Sequence, residues 1–293
     1  MGAQQEINHV YSSIPLHTPN APFDARFSGR HVQIAHAVGD KYWSNRLPRS
    51  EMHIDEPELW TVMNLFVNQD TLFVDGGANI GLWSCVAEVA TGNAKQVVAV
   101  EPSPSVIPTL RNNARVNGNG FIILEKALAA EAGNTVDFHE YIDLNVINSV
   151  HHMSERRPYC TTTVETTTID EIVANARKAG TEFSQIVVKL DVEKSELAAL
   201  EGAKYTTASS EVLFVYEDHR DQDVSAELTQ RILELGMHVY YIDSENNTKR
   251  IESHTQIITI RKPPRNGYNF LTCLPNSQFD KDLSEMAERS SRV

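Results

Sequence analysis

Leu72-Phe73-Val74-Asp75-Gly76-Gly77-Ala78-Asn79-Ile80-Gly81-Leu82-Trp83 is the stretch on which the reading of this chain turns. It opens as a short apolar run ending in an acid and passes through a glycine-rich turn. It continues into a segment whose apolar residues, Leu82, Trp83, Val86 and Val89, recur at helical spacing. Small residues let a backbone turn sharply and approach a ligand closely. The helix that follows presents its N-terminal N–H groups toward that ligand. Gly77 and Gly81 are read as positions where a side chain would block those contacts.

Outward from this turn the pattern alternates. Gln96 to Val100 is a strand closed by Glu101-Pro102, and a helix follows from about Ser105 to Asn117. Phe121 to Leu124 is the next strand. Thr135–Phe138 and the threonine-rich Thr161–Thr168 read as two strands flanking a loop that holds His151 and His152. A helix at Ile169–Ala179 is entered through Thr168 or Asp170 and ended by Gly180. The two most apolar strands are Gln185–Asp191 and Glu211–Glu217, with a helix from Glu193 to Tyr205 between them. A helix at Ser225–Leu235 stops at Gly236. His238–Ile242 and Gln256–Arg261, joined through Asp243–Asn247, are read as a closing hairpin. Unalternating strands separated by helices imply a parallel sheet covered on both faces. The expected fold is therefore α/β, Rossmann-like, with a mostly parallel sheet and a C-terminal antiparallel hairpin. Residues 1–68 read as an N-terminal extension or lid, 69–262 as the main domain, and 263–293 as a polar appendage with a short helix near Asp280–Arg289.

Two cofactor classes use such a turn. A dinucleotide needs the G-x-G-x-x-G spacing to hold its pyrophosphate, and Gly76-Gly77-Ala78-Asn79-Ile80-Gly81 does not match it. Asp75 at the strand end would also repel an anion. S-adenosylmethionine has no phosphate and carries an ammonium, a sulfonium and a carboxylate, which suit an acid beside glycine amides. Glu101, 20 residues after Gly81, stands where an acid accepts two ribose hydroxyls. The alternative is that Glu101 only caps the helix starting near Ser103 or Ser105. The reading with both acids is an S-adenosylmethionine site. An NAD-dependent oxidoreductase and a binding or regulatory module that keeps the cofactor without catalysis are the other two readings.

Three ordered blocks, FVDGGANIGLWS (Phe73–Ser84), VEPSPSVIPTLRNNARVN (Val100–Asn117) and VVKLDVEKSELAALEGA (Val187–Ala203), resemble the FkbM-type methyltransferases. The resemblance implies a seven-stranded methyltransferase fold and methyl transfer from S-adenosylmethionine, usually to a hydroxyl of a sugar, polyketide or other secondary-metabolite scaffold. It implies that Asp75, Gly76, Gly77, Asn79 and Gly81 hold the methionine part and that Glu101, with Pro102 and Ser103, takes the ribose. Lys126 and Ala127 would lie near the adenine, and Asp191 beside the reacting centre. One departure stands out. The family pattern Asp-x-Glu-Gly-x-Glu reads Asp191-Val192-Glu193-Lys194-Ser195-Glu196, with lysine where glycine is expected.

A hydroxyl acceptor needs a base or a group that stabilises the developing alkoxide. Ligands in open α/β sheets bind outside the carboxyl ends of the strands. Asp191 and Glu217-Asp218-His219 fall at those ends, so Asp191 and His219 are read as the proton-accepting or orienting pair, supported by Glu217. A solvated turn residue is the plainer reading of His219. Carboxylate oxygens of Asp191 and Glu217 would admit a divalent metal, but none is expected. Lys189 is read as pairing with a buried carboxylate. Lys41, Tyr42, Trp43, Arg46 and Arg49 offer aromatic and cationic contacts for closing over the acceptor, or equally for packing outside the domain or in a homodimer.

A net charge of −13, with acids spread along the chain, disfavours nucleic-acid partners. His9, His17, His31, His36 and His53 lack metal-ligand spacing, and Cys85, Cys160 and Cys273 are too far apart for a zinc or disulfide framework. No apolar h-region or span of about 20 apolar residues is read in the sequence, so no membrane association and a cytoplasmic location are expected.

Overall fold

The computed structural model describes residues 23–27, 30–36, 42–43, 56–118, 120–141, 148–151, 159–209, 211–219, 227–243, 245–260 and 267–292. Lys41, Arg46, Arg49, His9, His17, His53 and His152 lie outside them. β1 (Phe23–Phe27) and β2 (Arg30–Ile34) form an antiparallel hairpin. Then come α1 (Pro57–Phe66), β3 (Thr71–Gly76), α2 (Leu82–Thr91), β4 (Val97–Val100), α3 (Ile107–Val116) and β5 (Ile122–Leu124). An inserted sheet follows, made of β6 (Ala127–Leu128), β7 (Thr135–Tyr141) and β8 (Tyr159–Thr167). The chain returns through α4 (Ile169–Lys178), β9 (Gln185–Leu190), α5 (Glu196–Glu201), α6 (Lys204–Ser209) and β10 (Glu211–His219). It closes with α7 (Glu227–Glu234), β11 (His238–Ile242), β12 (Thr248–Ile251), α8 (His254–Ile260), β13 (Gly267–Cys273) and α9 (Gln278–Ser290).

The main sheet has eight strands among the described residues, in the order β12-β11-β13-β10-β9-β3-β4-β5. β5, β4, β3, β9 and β10 run parallel, and β13 and β12 run against their neighbours. All of β3 is buried, because successive side chains serve opposite faces and both are covered. Phe73, Val97, Val187, Leu213 and Leu271 pack toward α1, α2, α3, α9 and the β1–β2 hairpin. Leu72, Val74, Val98, Val188, Phe214 and Phe270 pack toward α4, α5, α7 and α8. No helix among the described residues is long and apolar enough to cross a membrane.

The hairpin docks on α3 through two asparagines. Asn117 Nδ2 donates to the Gln33 carbonyl and its Oδ1 accepts the Gln33 N–H, both at 2.7 Å. Asn113 does the same to Ala35 at 2.9 and 2.8 Å. The match is geometric: four residues of helix rise about 6 Å, and two residues of strand about 6.8 Å.

Three elements differ from the sequence reading. Gln256–Ile260, a β-branched run expected as a strand, lies in α8, and the partner of β11 is β12. The Gln256 side chain accepts the N–H groups of Glu252 and Ser253 at 2.7 and 3.2 Å, half of a capping box that starts the helix. The helix expected from Glu193 to Tyr205 is two short helices, because the Asp170 carboxylate accepts the Tyr205 and Thr206 N–H groups at 3.0 and 2.7 Å and so starts the second one. Gly267–Cys273, in the stretch read as a polar appendage, is a strand between β10 and β11. Its buried Tyr268, Phe270 and Leu271 belong to the core.

Candidate cofactor and acceptor site

The carboxyl ends of β3, β4, β9 and β10 converge on the glycine turn. Gly77, Asn79 and Gly81 have φ of 70°, 48° and 84°, the left-handed region that glycine and asparagine tolerate best. Gly77 and Ala78 donate their N–H groups to the Val100 carbonyl at 3.0 and 3.1 Å, fastening the turn to β4. The glycines answer first to the protein's own packing. A Cβ on Gly77 would lie 1.8 Å from the Asp191 carbonyl oxygen, and one on Gly76 would meet Leu128 and the Lys189 carbonyl at 2.6 and 2.8 Å. At Gly81 it would lie 2.5 Å from Leu110.

Asp75, read as a cofactor contact, is fully buried. It accepts the Ser84 Oγ–H at 2.6 Å, and Lys189 Nζ stands 3.7 Å from its other oxygen. Burial raises its pKa, opposed by Lys189 and Ser84. Asp75 thus holds the amino end of α2 and neutralises Lys189.

Glu101 ties the end of β4 to the glycine turn. Its Oε1 accepts the Ser103 N–H at 2.9 Å, as a cap would, and its Oε2 accepts the Asn79 N–H at 2.8 Å. Each oxygen keeps acceptor capacity for a hydroxyl, so the pair of acceptors could receive the two hydroxyls of a diol. Burial pushes its pKa up to about 7, countered by the two N–H bonds and assisted by Glu140 and Asp75. Pro102 and Ser103 continue from it, half-buried and buried. Lys126 pairs with Glu165 at 3.1 Å, and Ala127 is buried in β6 against Thr166. Trp43 Nε1 donates to Asn79 Oδ1 at 3.0 Å, a contact between the N-terminal segment and the glycine turn.

A second loop, 191–196, faces the first. The Asp191 N–H donates to the Gly76 carbonyl at 3.2 Å, and Lys189 Nζ lies 3.1 Å from Asp191 Oδ2. Glu193 and Lys194 have φ of 50° and 77°. The position where the family carries glycine is therefore a left-handed one. The buried Glu196 carboxylate accepts the Val192 and Lys194 N–H groups at 3.1 and 3.2 Å, and Ser149 Oγ donates to the Glu193 carbonyl at 2.6 Å.

Glu217 is hydrogen-bonded to Asp191, and burial with that neighbouring charge raises its pKa well above the ordinary value. Burial pushes Glu193 up to about 9, with Asp191 and Glu196 adding to it. Glu56, just before α1, completes the cluster. It accepts from Trp83 Nε1 at 3.2 Å and Asn269 Nδ2 at 3.3 Å, and burial raises its pKa. Nothing local in the sequence singled Glu56 out, because it lies 135 residues before Asp191. Asp218 is not part of this group. It faces Thr229 at 2.7 Å on the other side of the strand. The described backbone of His219 ends β10 opposite Gly267. Among the described residues no group of three or more His, Cys, Asp or Glu side chains is disposed to hold a metal ion.

The family model described as the methyltransferase FkbM domain matches residues 75–249, more than half of the chain. No curated protein matches. Among solved structures, a methyltransferase FkbM from Methylobacillus flagellatus is 17% identical over 71% of this chain, with a TM-score of 0.43. This chain spans only 44% of that protein's length. M. jannaschii TYW2 in complex with AdoMet is 12% identical over 86% of this chain and 85% of its own, with a TM-score of 0.42. A SAM-dependent O-methyltransferase from Thermotoga maritima is 12% identical over 92% and 82%, with a TM-score of 0.37. Because the family model covers the glycine turn, Glu101, the second loop and both central strands that carry Asp191 and Glu217, the chain belongs to the FkbM family of methyltransferases.

Proposed function

We propose that this chain transfers a methyl group from S-adenosylmethionine to a hydroxyl of a small acceptor: a metabolite, a sugar or a secondary-metabolite scaffold. The observation that carries the reading is the carboxylate pair at the strand ends. Asp191 faces the Lys189 ammonium at 3.1 Å and is hydrogen-bonded to Glu217, one backbone contact from the glycine turn. Bound S-adenosylmethionine supplies a methyl group on a sulfonium, already activated for displacement, so positioning does much of the work.

In this reading Gly76, Gly77, Asn79 and Gly81 shape the seat of the methionine part, and Asp75 acts from behind by fixing α2. Glu101 accepts the ribose hydroxyls, with Pro102 and Ser103 beside it, and Lys126 and Ala127 border the adenine. Glu217, held protonated by burial and by Asp191, donates to Asp191 and orients it. Asp191 accepts the acceptor's hydroxyl proton as its oxygen gains the methyl group. His219, at the end of the same strand as Glu217, is the second candidate for that proton.

Calorimetry with S-adenosylhomocysteine tests the site, and mass spectrometry of hydroxylated acceptor mixtures tests the reaction. The expected result is binding by the wild type, then a gain of one methyl that Asp191→Asn abolishes. Binding without any methylated product favours a regulatory module, and no binding with stabilisation by NADH overturns the reading.

A further inference from the structure

The three-stranded sheet β6-β8-β7 is inserted between β5 and α4 and adds no strand to the main sheet. One of its carboxylates nevertheless serves the main sheet's ligand edge. Glu140, on β7, is 2% exposed. Its Oε1 accepts the Ser103 Oγ–H at 2.6 Å and the Ser105 N–H at 3.0 Å. Asn148 Nδ2 donates to Ser103 Oγ at 3.3 Å, while its Oδ1 accepts the Tyr141 N–H at 2.8 Å. Ser103 is fully buried, and its own N–H is the donor that holds Glu101 Oε1. An unbroken run of bonds thus leads from Glu140 through Ser103 to Glu101 and on to Asn79 in the glycine turn.

Burying a second carboxylate beside a first is expensive unless both are fully hydrogen-bonded. A neutral acceptor would suffice merely to close the turn at Ser105. A carboxylate makes the bonds to Ser103 and Ser105 charge-assisted and therefore short and directional. The result is a Ser103 N–H whose aim at Glu101 is set from outside the main sheet.

We propose that Glu140 is a positioning residue for the cofactor, fixing the Glu101 carboxylate through Ser103 in the orientation that receives the ribose hydroxyls. The inserted sheet is then a working part of the cofactor site. The inference rests on the reading of Glu101 as the ribose acceptor.

The experiment is calorimetric titration of S-adenosylhomocysteine into the full chain, using wild type, Glu140→Gln, Glu101→Gln and the double variant. Glu140→Gln should weaken binding about tenfold, the scale of one lost bond to a charged group. The double variant should bind no more weakly than Glu101→Gln alone, since Glu140 acts through Glu101. The charges of Glu140 and Asp75 both raise the Glu101 pKa. Removing the charge of Glu140 should therefore also move the pH midpoint of binding downward. Ser103→Ala, which keeps both carboxylates, should weaken binding in the same direction and serves if Glu140→Gln does not fold. Unchanged affinity, additive losses or an unmoved midpoint overturns the proposal. A wild type that binds no S-adenosylhomocysteine overturns the functional reading instead.

Discussion

The glycine turn and the loop after β9 are neighbours built to different standards. Both leave the carboxyl end of a central strand, and they touch where the Gly77 Cα faces the Asp191 carbonyl. The first places its left-handed positions on Gly77, Asn79 and Gly81, residues that adopt them at little cost. The second places them on Glu193 and Lys194, where a Cβ makes the same conformation cost about 1–2 kcal/mol each. Strain of this kind persists only where the surroundings over-determine it. Here Glu196 and Ser149 supply that support. The turn packs without strain, while the second loop is held in a conformation that a relaxed loop would not keep.

The contact between the loops is the first place to break this comparison. Gly77→Ala puts a methyl against the Asp191 carbonyl and should destabilise the fold by about 4 kcal/mol or more, with loss of S-adenosylhomocysteine binding. Denaturant titration measures it, and a loss below 1 kcal/mol, on the order of an ordinary surface change, contradicts the packing. Lys189 sits beneath both loops. Lys189→Met leaves Asp75 and Asp191 without their shared ammonium and should cost about 3 kcal/mol in the same measurement.

The loops should also titrate apart. Glu101, bonded to the turn, is raised from 4.5 to about 7, and Glu193, in the second loop, from 4.5 to about 9. In both cases the folded state holds its proton to higher pH than the unfolded chain. Their contribution to stability is therefore complete below the unfolded value and is lost as pH rises through about 7 and about 9. Thermal denaturation across that range should show the decline. Both groups share the fall between about 4.5 and about 7 and Glu193 alone carries it from there to about 9, so Glu101→Gln should lessen the lower part and Glu193→Gln should remove the upper part and lessen the lower. S-adenosylhomocysteine affinity should run the other way, rising through about pH 7 as Glu101 ionises.

The smallest effect sharpens the comparison. Lys194→Gly relieves one strained position and should stabilise the protein by about 1 kcal/mol, offset in part by chain entropy. A destabilisation would show that the exposed lysine side chain has a role its backbone angle conceals.

What could be read along the chain was what neighbours in sequence dictate. Leu72–Asp75 followed by the glycines announces a buried strand and a turn, and Thr168 before Ile169 announces a capped helix whose cap accepts the Glu171 N–H at 3.1 Å. Gln256–Ile260 went the other way because its β-branched residues outweighed a capping signal that is visible three residues after Ser253. β13 was obscured by the polar residues around it, although Tyr268–Cys273 is itself apolar enough for a central strand. The places of Asp191, Glu217 and Glu101 at strand ends are legible in the sequence. Those of Glu56 and Glu140 are not, since each enters from an element whose local pattern says nothing of where it docks. The sequence shows at position 194 only that lysine stands where the family carries glycine. The backbone angle of Lys194 shows that it is a matter of conformation.

Asn113 and Asn117 have a consequence beyond docking the hairpin. A strand with bare peptide groups on one side can recruit another strand, from another copy or from a partly unfolded chain. The two side-chain amides imitate a neighbouring strand, each returning one donor and one acceptor to Gln33 and Ala35. The imitation ends there, because what lies behind it is a helix and offers no further ladder. The arrangement closes Gln33 and Ala35 to further β-pairing with two residues of α3 and its C-terminal end.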